Sequence, residues 1–224
     1  MKEAILFDLD GTLTNTDAVH YETWQELLRE YDLEIDPVFY DQHFSGRLNK
    51  DILLDILPRL SVAEAIELGN RKEAEFRQRA KDLLVPLPGL LSLLDWCDRN
   101  HVKKAVVTNA PIENAEFMLR VLKLQDRFPV VIIGEQVEFG KPHPRPYQVG
   151  LEWLEVEAKR AIAFEDSPTG MTSAVGAGLC TIGIDSTHPS QTLYAMGASV
   201  VISDFTDPTV MDILLSATPK AGNI

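Results

Sequence analysis

The stretch Glu3–Thr12, which reads EAILFDLDGT, decides the fold of this chain. Its first half is a short, nearly continuous apolar run, which is typical of a strand buried on both faces of a parallel sheet. Its second half places two carboxylates, Asp8 and Asp10, directly after that strand, and Gly11 permits a sharp turn of the backbone. The stretch therefore predicts a buried strand that delivers charged side chains to one edge of a sheet.

Further apolar runs of the same kind follow along the chain. Helical segments lie between them, as indicated by Pro88-Gly89 before one segment and by Ser167, a preferred N-cap residue, before another. Strands that alternate with helices predict an α/β fold with a doubly wound, Rossmann-like parallel sheet. The further runs are residues 103–107, 129–133, 160–164, 179–184 and 198–202.

One long segment, residues 16–82, interrupts this alternation. It carries no strand pattern, and its apolar residues recur at steps of three and four, which is typical of amphipathic helices. Ser61 and Glu64 have the spacing of a capping box, which predicts that a helix begins there. We therefore expect an α/β core formed by residues 1–15 and 83–224, with residues 16–82 inserted as an all-helical cap.

The composition is that of a soluble globular protein and excludes several other classes. Of the 224 residues 45% are hydrophobic and 25% are charged, and no run of about 18 apolar residues could span a membrane. The N-terminus lacks the apolar core of a signal peptide, and two cysteines are too few for a disulfide framework. These features predict a cytoplasmic protein whose last residues, 217–224, form a loose tail.

The formal net charge is −13, from 34 acidic and 21 basic residues. Such a surface repels nucleic acids and anionic membranes, so neither is predicted as a partner. To bind to this protein, an anionic small molecule would instead need a local positive charge, such as a bound metal ion or a few cationic side chains at the binding site. The sequence leaves the oligomeric state open and is compatible with a monomer.

Polar side chains stand where the predicted strands end or in the loops beyond them. Because the carboxyl ends of parallel strands meet at one edge of a sheet, we expect these side chains to converge. Four carboxylates in one place would repel one another, and a hard divalent cation such as Mg²⁺ would resolve this repulsion. The converging residues are Asp8, Asp10, Thr108, Asn109, Lys141, Glu165 and Asp166.

The spacing of the first two carboxylates suits chemistry on a phosphate group. Asp8 and Asp10 can point to the same side of the chain, so that one attacks a phosphorus atom while the other handles a proton. Thr108 and the backbone amides beside it can hold phosphate oxygens at the start of a helix. Lys141 can neutralise both Asp8 and a transferring phosphoryl group.

Four segments resemble, in order, the four motifs of the haloacid dehalogenase superfamily. The resemblance covers the whole chain, because the helical insert sits where a small helical cap sits in that superfamily. The matching segments are DLDGT at residues 8–12, VVTN at 106–109, GKP at 140–142 and FEDSPTG at 164–170.

The resemblance implies a role for each matching residue. Asp8 is implied as the nucleophile that forms an aspartyl-phosphate, and Asp10 as the general acid and then the general base. Thr108, Asn109 and Lys141 are implied as phosphate-binding residues. The implied Mg²⁺ site consists of Asp8, Asp10 through its backbone carbonyl, Asp166 and Glu165, the last as a ligand or a close neighbour.

The helical insert resembles the caps of β-phosphoglucomutase and its sugar-phosphatase relatives, which set substrate choice. His20 and Lys72 match cap positions of that group, and Arg47 and Asn49 lie in a turn that matches its substrate-specificity loop. The mutase has an arginine where this chain has Asn49 and a lysine where it has Ser45. These four cap residues, His20, Arg47, Asn49 and Lys72, are the predicted substrate contacts of the insert.

These features together predict a Mg²⁺-dependent phosphatase that hydrolyses a small phosphate monoester, such as a sugar phosphate, through an aspartyl-phosphate. Asp10 favours the departure of an alkoxide, which needs a proton. A β-phosphoglucomutase-type phosphotransferase is the alternative, but Asn49 weakens it because an arginine would grip the second phosphate of a bisphosphate bidentately. A phospho-acceptor receiver domain is a third candidate, although the helical insert has no counterpart there.

Overall fold

The computed structural model describes residues 1–44 and 47–216. The chain divides into two compact units, one formed by Met1–Asn15 and the chain from Val85 onward, the other by Thr16–Leu84. The predicted tail at residues 217–224 lies outside the described residues. Within the described ranges, no helix is long and apolar enough to cross a bilayer.

A parallel sheet forms the centre of the first unit. Its strands are β1 (Ala4–Phe7), β2 (Lys103–Thr108), β3 (Val130–Ile133), β4 (Ala161–Glu165), β5 (Cys180–Ile184) and β6 (Val200–Ile202). They lie side by side in the order β3-β2-β1-β4-β5-β6, and each neighbouring pair is parallel. Because the order changes direction at β1, the predicted doubly wound α/β fold is confirmed.

Helices connect the strands and form the second unit. In the second unit they are α1 (Asp17–Arg29), α2 (Pro37–His43), α3 (Asn49–Ile56) and α4 (Val62–Ala80). In the first unit they are α5 (Leu90–Arg99), α6 (Ile112–Val121), α7 (Arg145–Leu154), α8 (Pro168–Gly176), α9 (Ser190–Ala195) and α10 (Thr209–Leu215).

Two helices begin where the local sequence predicts. The Ser61 hydroxyl accepts a hydrogen bond from the Glu64 N–H, and the Glu64 carboxylate accepts one from the Ser61 N–H at 2.8 Å, which confirms the capping box of α4. Ser167 caps α8, since its hydroxyl accepts a hydrogen bond from the Gly170 N–H at 3.1 Å. Both caps satisfy backbone donors that the first helical turn leaves unpaired.

The central strands are buried on both faces, as their continuous apolar runs predicted. On one face, Leu6 and Val107 pack in a cluster with Tyr147 of α7. On the other face, Phe7 stacks on Phe164 with ring centroids 5.4 Å apart. Burying side chains of this size contributes about 1.5–3 kcal/mol each, so the sheet is a stable base for the residues at its edge.

The second unit has an apolar core of its own. Trp24 and Leu28 of α1 are buried together with Ile52 of α3 and Leu68 of α4. Trp24 also contacts Phe44 edge-on, with ring centroids 5.1 Å apart. The helical segment therefore buries its apolar faces within its own bundle.

Candidate active site

Three buried carboxylates meet at the carboxyl edge of the sheet. Asp8 follows β1, Glu165 ends β4 and Asp166 is the next residue. The strand register places them side by side, because Phe7 pairs with Phe164 and the Asp8 N–H donates to the Phe164 carbonyl at 3.0 Å. Each carboxylate offers an oxygen, and these oxygens all lie within 4.8 Å of one another. Three of the four predicted carboxylates are thus brought together.

Lys141 lies between two of these carboxylates. Its Nζ is 2.6 Å from Asp8 Oδ1 and 2.6 Å from Glu165 Oε1. The lysine side chain is only 4% exposed, so these charges are largely withdrawn from water. The ammonium group therefore holds both carboxylates in a desolvated network, where the loss of one partner is costly.

Asn109 holds the backbone of Lys141. Its side-chain amide donates to the Lys141 carbonyl and accepts from the Lys141 N–H, both at 3.0 Å. Two glycines make room for it, since a Cβ on Gly134 or Gly140 would lie 2.3 Å or 3.0 Å from Asn109 Oδ1. The Asn109 side chain thus positions the backbone of Lys141, and the phosphate contact expected of Asn109 stays a prediction.

Tyr147 is a residue of the cluster that sequence reasoning missed. Its hydroxyl donates to Glu165 Oε1 at 2.6 Å, and the side chain is fully buried. Lys141 Nζ lies 5.2 Å from the centre of its ring. The apolar pattern of α7 predicts only core packing for Tyr147, and the sole signal was its hydroxyl, which usually needs a partner when buried.

The loop after β5 holds Asp166 in place. The Thr187 hydroxyl contacts Asp166 Oδ2, and it also lies 3.1 Å from the Asp166 carbonyl. The Ser186 hydroxyl donates to the Gly11 carbonyl at 2.5 Å. Gly11 has a φ of +81°, and a Cβ there would lie 2.1 Å from Asp166 Oδ2, so only glycine fits. The sequence carried no signal for Thr187, which lies outside the four motifs.

The cluster holds more negative than positive charge. Burial raises the pKa of Asp8 to about 7, although Lys141 acts in the opposite direction. Burial, together with the carboxylates of Asp8 and Glu165, raises the pKa of Asp166 well above its usual range. Burial opposes the charge on Lys141, but Asp8 and Glu165 outweigh it and raise the lysine pKa. Three carboxylates share one ammonium group, so a further cation would favour their charged forms.

Two carboxylate oxygens of the cluster fit a metal ion. Asp8 Oδ2 and Glu165 Oε2 are buried and lack a hydrogen-bond partner within the part of the chain that the structure describes. A buried anionic oxygen without a partner is costly, and carboxylate oxygens are ligands that hard divalent cations prefer. The donor set of Asp8, Glu165 and Asp166 therefore suits such a cation.

Asp10 and Thr108 lie at the same edge of the sheet. Asp10 is half-buried and its backbone bridges to Thr14, but its carboxylate is not one of the three that group together. Thr108 ends β2, is buried, and accepts a hydrogen bond at its hydroxyl from the Ala110 N–H at 2.9 Å. Thr108 thus shapes the turn that leads from β2 toward α6.

Three of the predicted cap residues lie together around a residue that was not predicted, Glu73. Lys72 Nζ is 2.9 Å from Glu73 Oε1 and 2.7 Å from His20 Nδ1. Asn49 Nδ2 donates to the same Glu73 oxygen at 2.5 Å. The helical unit therefore brings His20, Asn49 and Lys72 into one polar cluster.

Arg47, the fourth predicted cap residue, has other partners. Its guanidinium pairs with Asp55 and donates to the His43 carbonyl at 3.1 Å. Ser45, where the mutase carries a lysine, lies outside the described residues together with Gly46. The described part of the predicted specificity loop thus presents an arginine that is already bound to a carboxylate.

Gly170, near the start of α8, is a position where one methyl group should matter. A Cβ there would lie 1.9 Å from the Glu165 carboxylate, which Lys141 and Tyr147 hold in place. We expect Gly170→Ala to lower the free energy of unfolding by about 1–3 kcal/mol, although alanine is the better helix former. Urea unfolding measures the change. Gly176→Ala on the same helix is the control, because its Cβ would make ordinary contacts at 3.5 Å, and equal stability of the two variants would contradict the expected clash.

Comparison with known proteins relates most of the chain to haloacid dehalogenase-like hydrolases. The model of the haloacid dehalogenase-like hydrolase family matches residues 5–184. Validoxylamine A 7′-phosphate phosphatase from Streptomyces hygroscopicus subsp. limoneus is 31% identical over 207 residues, which are 92% of this chain and 96% of that protein. β-Phosphoglucomutase from Bacillus subtilis is 26% identical, over 93% of this chain and 92% of its own. A variant of CbbY from Rhodobacter sphaeroides in complex with xylulose-(1,5)-bisphosphate has a TM-score of 0.83 at 27% identity and covers 92% of this chain and 96% of that chain.

Proposed function

We propose that this chain, which belongs to the haloacid dehalogenase-like hydrolase family, is a Mg²⁺-dependent phosphatase that hydrolyses a small phosphate monoester such as a sugar phosphate. The family and the class of enzyme were predicted from the four motifs, and the comparisons confirm both. One observation carries the finer proposal. It is the buried cluster in which Lys141 joins Asp8 to Glu165, with Asp166 beside them.

Asp8 is the nucleophile in this proposal. Lys141 Nζ donates to its Oδ1 at 2.6 Å, which fixes the orientation of the carboxylate. A carboxylate oxygen attacks phosphorus, the bond from phosphorus to the ester oxygen breaks, and an aspartyl-phosphate forms. The ammonium group of Lys141 neutralises charge on the transferring phosphoryl group.

Asp10 handles the proton in both half-reactions. Its carboxyl group gives a proton to the departing ester oxygen, and its carboxylate then takes a proton from the water that attacks the aspartyl-phosphate. Inorganic phosphate leaves, and Asp8 is restored as a carboxylate. The turn that carries Asp10 is closed by a hydrogen bond from the Gly11 N–H to the Thr14 carbonyl at 2.8 Å.

Mg²⁺ would be held by Asp8 and Asp166, with Glu165 close by and the Asp10 carbonyl as a further oxygen. When bound, it would supply the positive charge that keeps the carboxylates ionised and that neutralises the phosphate oxygens. Thr108 and the backbone N–H groups after β2 would bind the remaining phosphate oxygens. In this proposal the Asn109 side chain acts through the backbone of Lys141, because it hydrogen-bonds to both the N–H and the carbonyl of that residue.

Removal of divalent metal is expected to stop turnover. We expect chelation to lower the rate of p-nitrophenyl phosphate hydrolysis on the order of 100-fold or more, because several kcal/mol of charge stabilisation are lost, and added Mg²⁺ to restore it. Mg²⁺ should also raise the melting temperature of the metal-free protein, because the cation relieves repulsion among the carboxylates. Asp166→Asn should reduce that rise. Full activity in the presence of chelator would contradict the proposal.

A β-phosphoglucomutase-type phosphotransferase is the second candidate, favoured by the similarity to the Bacillus subtilis enzyme over nearly the whole chain. Such an enzyme would move a phosphoryl group between two positions of a sugar instead of releasing it. A coupled assay would follow glucose 6-phosphate formed from β-glucose 1-phosphate and a bisphosphate primer. Release of free phosphate without glucose 6-phosphate would exclude the mutase.

A further inference from the structure

A hydroxyl group that lies outside the four motifs is hydrogen-bonded to the buried carboxylate of Asp166. Thr187, in the loop after β5, contacts Asp166 Oδ2 through its hydroxyl, which also lies 3.1 Å from the Asp166 carbonyl oxygen. Asp166 is buried, and it offers one of the three carboxylate oxygens that lie within 4.8 Å of one another. A single side chain from a distant segment therefore contacts both the side chain and the backbone of a candidate metal ligand.

His188 completes the surroundings of this hydroxyl. The Thr187 oxygen lies 2.9 Å from His188 Nδ1, and its contact with Asp166 Oδ2 is on the same atom. A hydroxyl has one hydrogen to donate, and an ionised carboxylate can only accept. The hydroxyl hydrogen therefore goes to Asp166, and the contact with His188 is favourable when the imidazole donates from Nδ1 to the hydroxyl oxygen. In this arrangement the imidazole directs the hydroxyl toward the carboxylate.

The loop that carries Thr187 is fastened to the loop that leaves β1. The Ser186 hydroxyl donates to the Gly11 carbonyl at 2.5 Å. Gly11 permits the close approach of the two loops, since a Cβ there would lie 2.1 Å from Asp166 Oδ2 and 2.9 Å from Thr187 Cγ2. The Thr187 hydroxyl is therefore fixed relative to the first strand as well as to Asp166.

The hold on Asp166 matters because like charges lie beside it. Lys141 donates to Asp8 and to Glu165 at 2.6 Å. Both carboxylates nevertheless lie close to that of Asp166 and repel it. A carboxylate that could rotate would turn away from this repulsion in the metal-free protein, and it would have to turn back before it could bind a cation. A hydroxyl that fixes the carboxylate beforehand removes this cost from the binding step.

We propose that Thr187 is a positioning residue that sets the affinity of the carboxylate cluster for a divalent cation, because it holds the Asp166 carboxylate in the orientation that binds the ion. This inference rests on the proposed function in one respect, which is that the cluster binds Mg²⁺. Thr187 acts through Asp166 in this proposal, so its effect is measured on metal binding itself.

Calorimetric titration of the metal-free protein with Mg²⁺ tests the proposal without any substrate. Thr187→Val keeps the branched shape of the side chain and removes the hydroxyl. We expect this variant to bind Mg²⁺ about 10- to 100-fold more weakly than the wild type, which is the usual effect of losing a group that orients a metal ligand. Thr187→Ser keeps the hydroxyl and should bind Mg²⁺ nearly as tightly as the wild type.

Two comparisons separate loss of the hydroxyl from a change of packing. Thr187→Ser and Thr187→Ala differ only in the hydroxyl, so the serine variant should bind Mg²⁺ more tightly than the alanine variant. Thr206→Val is the matched control, because the Thr206 hydroxyl also contacts an aspartate carboxylate, that of Asp204, which lies outside the cluster of three. This control should bind Mg²⁺ as the wild type does.

Equal Mg²⁺ affinity of Thr187→Val and the wild type would overturn the proposal. Equal affinity of the serine and alanine variants would also overturn it, and this result does not depend on whether the valine variant folds. A loss in Thr206→Val as large as that in Thr187→Val would overturn the link to Asp166. Wild-type protein that does not bind Mg²⁺ would instead overturn the metal dependence of the proposed function, and this inference with it.

Discussion

The Asp8→Asn variant is expected to lose phosphate release by a factor on the order of 10⁴ or more, because an amide cannot form the aspartyl-phosphate. The variant should still fold. Burial raises the pKa of Asp8 to about 7 in the folded protein. The ionised carboxylate therefore destabilises the folded state once the pH rises above the pKa that Asp8 has in the unfolded chain. Asparagine removes this cost, and the melting temperature of the metal-free variant at neutral pH should equal or exceed that of the wild type.

Asp185→Asn is the control for this experiment. Asp185 follows β5 at the same edge of the sheet, and its carboxylate accepts a hydrogen bond from the Ser190 hydroxyl at 2.7 Å. It lies outside the cluster of three carboxylates, so its variant should retain phosphate release. Hydrolysis of p-nitrophenyl phosphate and thermal unfolding measure both variants. Equal rates for Asp8→Asn and wild type would remove Asp8 as the nucleophile.

The Lys141→Met variant is expected to lose about 3–5 kcal/mol of unfolding free energy without metal, in addition to its activity. Lys141 is the cation that holds Asp8 and Glu165, at 2.6 Å from each. Methionine fills a similar volume but leaves the two carboxylates without that charge, and the Glu165 side chain is fully buried. Urea unfolding measures the loss, and Mg²⁺ should recover part of it because it supplies positive charge to the same carboxylates.

Lys104→Met is the control for this loss, because Lys104 is also a buried lysine paired with a carboxylate. Its partner Asp98 is 51% exposed and also lies 2.9 Å from Arg127, so Asp98 keeps contacts with water and with a cation. We expect this variant to lose about 1 kcal/mol or less. Equal losses in the two variants would mean that the buried carboxylates do not depend on Lys141.

The strands of the sheet were predictable because each one can be recognised from its own short segment of sequence. A strand buried on both faces has no place for polar side chains, so burial leaves a continuous apolar run in the sequence. The first run was predicted at residues 3–7 and forms a strand at Ala4–Phe7, and the run at 160–164 forms Ala161–Glu165. The six predicted strands are all present in one parallel sheet.

Much of the carboxylate cluster followed from the same logic. Asp8, Glu165 and Asp166 stand at the ends of neighbouring parallel strands, so topology alone brings them together. Lys141 and Asn109 were predicted to join the cluster, but their contact with each other was not. A side chain that hydrogen-bonds to a backbone group 32 positions away leaves no recognisable pattern in the residues next to it in sequence.

The sequence by itself determined the strands, the doubly wound fold class and the residues that stand at the strand ends, because these features depend on short-range patterns and on the chain direction. Only the tertiary structure decided which charges are neutralised. Tyr147 binds Glu165, Thr187 binds Asp166, and Glu73 binds Lys72, and these partners shape the electrostatic field of each cluster. The field depends on distance and on burial, and neither can be read from residue spacing when the partners lie on different elements.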